Sequence, residues 1–258
     1  MGPFLLYRIA EVVKSLRLVP VTFALFLIAR GSLFSQEDPA AWLDSARRAA
    51  GVRAVAGDAL LSQTAARWAE TLAAAGILTH RGDDGSTGLD RYRAMGGTEV
   101  RVGEILGAGP ALDLIEKAWM DSREHRTLAL SPDWTHAGWG SARSGSSLVV
   151  VVLFTQRLVE ALSMTVDGSG LTVEGRFLPV QAITGTLVNG LDEVVPSRWD
   201  PASRTFRFEV PASLLAGYLR LGYRTADGGF TLTNAFTLPR GKGFPGGKAR
   251  SAAPAPAP

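Results

Sequence analysis

The chain of 258 residues predicts an α+β fold built in two parts. Apolar residues recur at helical spacing up to about residue 130, two apolar strands joined across a glycine follow, and after Gln156 short alternating runs replace the helical signals. A chain of this length holds one large domain or two smaller ones, and the change of period favours two: residues 36–157 and 160–239, flanked by a leader over 1–35 and a tail over 240–258.

Asp38-Pro39 reads as an N-cap followed by proline at the first helical position, opening a helix that ends near Gly51. Asp58 starts a second helix whose Leu61, Ala65, Trp68 and Leu72 form one apolar stripe, with Gly76 where a C-terminal glycine cap belongs. Residues 80–88 are polar and glycine-rich, hence a loop, and 89–95 make a short helix at best. Residues 99–106 alternate as a strand. Pro110 begins a third long helix with Leu114, Ile115, Ala118 and Trp119 facing inward, and Ser122 caps the next turn, which carries His125 and Leu128. Strands over 137–143 and 148–155 are joined by Ser144-Gly145-Ser146.

Alternating runs over 163–166, 171–177, 184–188, 205–210, 218–223 and 230–236 make the second part a small all-β, sandwich-like module. Trp199, beside Asp200-Pro201, reads as a turn residue. No close repeat and no motif marks this part. Its expected role is accessory, for envelope or extracellular contacts.

The first 35 residues have the layout of a secretory signal peptide: Arg8, Lys14 and Arg17, an apolar run over 18–29, then small residues at Ser32 and Ser35. A membrane span needs about 20 apolar residues; this run is shorter and contains Pro20. Cleavage near Ser35-Gln36 is the expectation, leaving no stable membrane span, with an uncleaved anchor the alternative because Leu33 is large for its position. The product is then periplasmic, cell-surface or secreted. The leader holds four of the 27 bases and one of the 24 acids, which leaves 23 of each. No clustered basic face is visible, so no nucleic-acid partner is expected. The tail, rich in Gly, Pro and Ala, has too few large apolar groups to fold. The chain has no cysteine, which excludes disulfides and a thiol nucleophile.

Two histidines and a carboxylate stand among residues of a recognisable order. His80 precedes the glycine-rich loop, and Gly103-Glu104 follows. Then come Trp119-Met120-Asp121-Ser122-Arg123-Glu124-His125-Arg126-Thr127-Leu128, His136-Ala137-Gly138-Trp139-Gly140 and a Val-rich strand. Over residues 40–156 this order resembles the CAP superfamily of cysteine-rich secretory, antigen 5 and pathogenesis-related proteins, in its bacterial SCP-like branch. The resemblance implies a three-layer α-β-α sandwich for this part. It also implies a cleft holding two histidines and two acids, which His80, Glu104 and His125 match. The fourth place departs, because Ser122 stands where many eukaryotic members have the acid of Trp-x-x-Glu, and Ile105 stands where Asn is usual.

Two imidazoles and a carboxylate brought together could hold a divalent metal such as zinc, a water completing the shell. Spacing alone does not assemble that site, because His80 and His125 lack the His-x-x-x-His spacing of one helix face; the plain alternative is exposed or core-satisfied histidines. A hydrolytic scheme would make Glu104 the general base, with a metal or imidazolium polarising a carbonyl. It lacks a nucleophile, since no Gly-x-Ser-x-Gly surrounds Ser122. His136 reads as peripheral, Trp119 as core, and Trp134 and Trp139 as lining or propping the cleft.

Three readings of function stay open, and whether the protein is an enzyme is undecided. The first is an exported CAP-domain protein whose His/Glu cleft binds a small-molecule, lipid or envelope ligand, with or without a metal. The second is a metal-assisted hydrolase of peptides or cell-envelope polymers, with His80, Glu104 and His125 as the catalytic candidates. The third is a lipid-binding or adhesive protein with a vestigial cleft.

Overall fold

The computed structural model describes residues 38–167, 169–189, 192–212 and 218–237; the leader and the Gly/Pro/Ala-rich tail lie outside them. Helix α1, Ala40–Ala49, begins later than the Asp38-Pro39 pair predicts, with Pro39 in the N-cap position and its carbonyl accepting from Leu43 N at 2.9 Å. It stops at Gly51, which takes φ 67° while Val52 N donates to Arg47 O, the Schellman arrangement. Strand β1, Ala56–Gly57, leads into helix α2, Ala59–Ala75, which Asp58 and Gly76 cap as the sequence predicts. Its Leu61, Ala65, Trp68 and Leu72 are all buried. Helix α3, Gly88–Ala94, starts at Thr87 with a capping box to Asp90.

Strand β2 spans Val102–Gly109, helices α4 and α5 span Leu112–Asp121 and Arg123–Ala129, and strands β3 and β4 span His136–Ser144 and Ser147–Thr155. These strands form one sheet in the order β1-β3-β4-β2, with β1 parallel to β3 and the other pairs antiparallel. The unbroken apolar run of β4 explains the layering, because a strand covered on both sides needs no polar face. Val149, Val151 and Leu153 join α2 and Tyr92 in one core; Leu148, Val150, Val152 and Phe154 join Leu43, Ile115, Trp119 and Ala129 in the other. The result is the α-β-α sandwich.

Arg47 ties α1 to the far end of α5. Fully buried, it donates Nη1 to Ala129 O at 2.6 Å and Ser131 O at 3.1 Å, and Nε to Arg53 O. It thereby satisfies carbonyls that the end of α5 leaves open.

Two expectations need correction here. Leu114 and Ala118 are exposed, and α4 turns Ile115 and Trp119 inward instead, with Leu112 partly buried behind them. The strand placed at 99–106 begins at Val102, because Glu99 makes an isolated bridge to Asn234 instead.

The second part is all β. One sheet orders β5 (Val159–Asp167), β6 (Gly170–Phe177), β10 (Thr205–Pro211) and β9 (Arg198–Asp200). The other orders β12 (Phe230–Thr237), β11 (Tyr218–Arg224), β7 (Thr184–Asn189) and β8 (Asp192–Val194). Val173, Phe177, Phe206 and Phe208 of the first sheet meet Leu187, Leu219, Leu221 and Phe236 of the second in one core. Trp199 belongs to β9 rather than to a turn; its ring packs 6.3 Å from Phe177, and that burial holds the short edge strand in register.

Candidate functional site

The site grows from three elements: the loop after α2, helix α3 and edge strand β2. Gly76, at φ 66°, ends α2 and turns the chain into the loop that carries His80. On β2, Glu104 shares a face with Leu106, which packs toward α2, while Ile105 between them packs toward α4. Gly88 leaves room for the carboxylate, since a Cβ there would lie 3.1 Å from Glu104 Oε2.

His80 and Glu104 are brought together. His80 Nδ1 lies 2.8 Å from Glu104 Oε1; the carboxylate side chain is 7% exposed and the imidazole 55%. A carboxylate only accepts, so Nδ1 carries the proton and Nε2 is left as the outward nitrogen. The other carboxylate oxygen is taken by a residue that the sequence did not single out: Arg91 Nη2 donates to Glu104 Oε2 at 2.6 Å. Arg91 also donates to Ser86 O at 3.0 Å and His80 O at 3.3 Å, and its guanidinium stands 3.8 Å over the Trp68 ring. One planar fork therefore holds the loop, the carboxylate and the helix α2 face at once, which a lysine cannot do.

The third candidate, His125, stands near the start of α5. Burial, and after it the charge of His80, hold its imidazole below the ordinary histidine value. Its backbone N–H donates to Ser122 Oγ at 3.4 Å, so Ser122 is the cap of α5, and its hydroxyl donates to Glu124. Among the described residues no group of three or more His, Asp or Glu side chains is arranged to hold a metal ion. His80 and Arg91 each take one oxygen of the Glu104 carboxylate. Glu104 is thus the anionic anchor of a hydrogen-bonded relay, Arg91 to Glu104 to His80.

His136 stands elsewhere, against Thr135 at 2.9 Å. Burial and then the Arg157 charge hold its imidazole below the ordinary value. Trp134 props α5 from below: its Nε1 donates to Leu128 O at 2.8 Å and its ring stacks 6.0 Å from Phe154. Trp139 packs half-buried against the same core. An open hollow lined by Arg101, Glu124, Leu128 and Trp134 includes none of His80, Glu104 and His125. The signal that could have found Arg91 is the box Thr87-x-x-Asp90, which opens a helix just before it; its partner on β2 is not readable from spacing.

Residues 42–156 match the model of the CAP family, described as the cysteine-rich secretory protein family. Among solved structures, an outer surface protein of Borrelia burgdorferi aligns at 23% identity and TM-score 0.43, covering 45% of this chain and 88% of that one. An extracellular SCP-domain protein of Bacillus anthracis aligns at 16% identity and TM-score 0.42, over 47% of this chain and 40% of that one. A cysteine-rich secretory protein of Staphylococcus aureus aligns at 15% identity and TM-score 0.37, over 49% of this chain and 40% of that one. No curated protein matches the chain.

Proposed function

Residues 42–156 are a CAP-family domain, and from that premise we propose that the protein is an exported ligand-binding protein whose cleft presents two imidazoles to a polar ligand. The observation that carries this is the relay Arg91–Glu104–His80, which holds one half-exposed imidazole through its Nδ1 and leaves Nε2 outside that bond. His125, whose imidazole burial holds below the ordinary histidine value, supplies a second group toward a ligand. Such a pair suits hydroxyl and carbonyl groups of an uncharged or weakly charged ligand. Export rests on the leader sequence, and the β part serves as an accessory module for envelope or extracellular contacts.

The hydrolase reading is weaker on the same geometry. A general base must be free to take a proton, and Glu104 has both oxygens committed, one of them to a guanidinium.

The test is a titration followed through the ring signals of His80 and His125, with zinc ion, soluble cell-wall glycan fragments and short peptides as separate probes. A ligand in the micromolar to millimolar range, about 4–8 kcal/mol of affinity, should move both signals, and the response should vanish in the His80→Ala, His125→Ala double variant. Turnover lost in Glu104→Gln would favour the hydrolase instead. A folded wild type that responds to none of the probes would sink the reading.

A further inference from the structure

We infer that the β-sandwich supports the cleft, through a buried clamp that runs from its edge strand to Arg91, so that Tyr92 and Glu99 are positioning residues for the His80–Glu104 pair. This rests on the cleft being the ligand site, but its test needs no ligand.

The path begins at β12, an edge strand of its sheet. Its outward backbone is satisfied by the first part of the chain: Val100 N donates to Thr233 O at 3.2 Å and Ala235 N donates to Thr98 O at 2.7 Å. Asn234, 2% exposed, adds a side-chain bond from Nδ2 to Thr98 Oγ1 at 2.9 Å. Residues 98–100 therefore extend the sandwich sheet by one short antiparallel segment, which also protects an edge that would otherwise invite pairing.

Between those two backbone bonds sits Glu99, and its side chain points into the first part. It is 5% exposed, accepts from Tyr92 OH at 2.7 Å and from Arg157 Nε at 2.7 Å, and Arg157 in turn donates Nη2 to Asp58 Oδ2 at 2.8 Å. Arg157 lies between the end of β4 and the start of β5, so the same clamp pins the connection between the two parts. A buried carboxylate needs this many partners; removing one leaves the rest poorly compensated.

The last step is covalent neighbourhood on a rigid helix. Tyr92 follows Arg91 in α3, and Tyr92 is almost fully buried. The chain returns from α3 to Glu99 through Gly96, at φ 97°, and Gly97, where a Cβ would lie 2.2 Å from the Tyr92 ring. Helix α3 is thus fixed at its end by the Glu99 clamp, and from its middle Arg91 reaches Glu104, Ser86 and His80. Displacing Tyr92 rotates or shifts the element that holds the cleft carboxylate.

The experiment is ring-proton NMR of the three histidines in the full chain, assigned by single His→Gln changes. Tyr92→Phe removes one hydroxyl, and Asn234→Ala removes the sandwich's side-chain bond to Thr98. Both should move the His80 ring signal beyond its line width and in the same direction, with the His136 signal reporting that the clamp is disturbed. Leu43→Ala, a destabilising change on the opposite face of the sheet, should leave His80 where it is. If His80 does not respond to either variant while each is folded by circular dichroism, the proposal is overturned. A response to Tyr92→Phe alone confines the device to the first part and overturns the role given to β12. An equal response to Leu43→Ala would show general loosening and overturn the positioning role.

Discussion

Asp58 divides its carboxylate between two tasks: Oδ1 accepts from Leu61 N at 2.8 Å and Oδ2 accepts from Arg157 Nη2 at 2.8 Å. The first bond caps α2; the second reaches 99 positions along the chain to the connection between the two parts. The start of the helix that carries Trp68 and the junction beside the sandwich are therefore held by one side chain.

The two tasks can be separated by substitution. Asp58→Asn keeps a good cap acceptor and removes the charge facing Arg157, at an expected cost of about 1–3 kcal/mol. Asp58→Ala removes both and should cost about 1 kcal/mol more. Urea unfolding measures each. Equal losses for the two variants would mean that the cap adds nothing here.

Stability should fall in two stages as the pH is lowered. Burial holds the His125 and His136 imidazoles below their ordinary values, so the unfolded chain binds protons below about pH 6.5 while the folded protein does not. That contribution is complete above about 6.5 and declines as pH falls through the folded values. Burial would raise Asp58 and Glu99, but it is outweighed. For Asp58 the Leu61 N–H and Arg157 do so; for Glu99 the Arg157 charge and the Tyr92 hydroxyl do so. Both carboxyls therefore sit below their ordinary range. Their contribution is present above about pH 4 and lost as pH falls through the folded values. Urea midpoints measured from pH 8 to 3 should show both stages, and His136→Phe should shrink the upper one to the share of His125.

Arg91 makes a sharper prediction about the loop. Arg91→Lys keeps the charge yet cannot serve Ser86 O, His80 O and Glu104 together. Losing hydrogen bonds of a charged donor costs about 1.5–3 kcal/mol. Backbone amides within the loop, such as Gly82 N bonded to Ser86 O at 2.9 Å, should then exchange roughly ten- to hundredfold faster. Unchanged exchange would show that the loop holds itself without the guanidinium.

Which of these features can be read in the sequence depends on how local their cause is. Helix α2 is fully legible because its stripe and both of its caps are set within a few residues, and the six main strands of the second part are legible from alternation. Glu99 is not. It looks like the first residue of an alternating strand, while its partners Arg157 and Asn234 lie far along the chain, so only the fold decides which pairing wins. The same holds for the cleft: neither spacing nor periodicity joins His80 to Glu104, and the family resemblance supplied that pair. It could not supply Arg91, whose role depends on the face of α3 that meets β2. Trp199 reads as a turn residue because Asp-Pro signals a turn, whereas packing on Phe177 holds it in an edge strand.

The Gly138-Trp139-Gly140 segment yields the last prediction, and there contact rather than backbone freedom is decisive. Helix α2 crosses β3 so closely that a Cβ on Gly138 would lie 2.3 Å from Ser62 N, and one on Gly140 2.2 Å from the Ala66 Cα. Both neighbours are backbone and cannot swing aside. Gly138→Ala and Gly140→Ala must push the helix off the sheet, and overpacking of that kind costs about 1–3 kcal/mol or more. Gly145, in the β3–β4 hairpin, has φ 60° and open space around its Cβ position, so Gly145→Ala should cost only the left-handed backbone strain, about 1–2 kcal/mol. Thermal unfolding of the three variants distinguishes the causes. The two β3 variants should also lose near-ultraviolet circular dichroism from the displaced Trp68, whereas Gly145→Ala should lower the melting point with that signal intact.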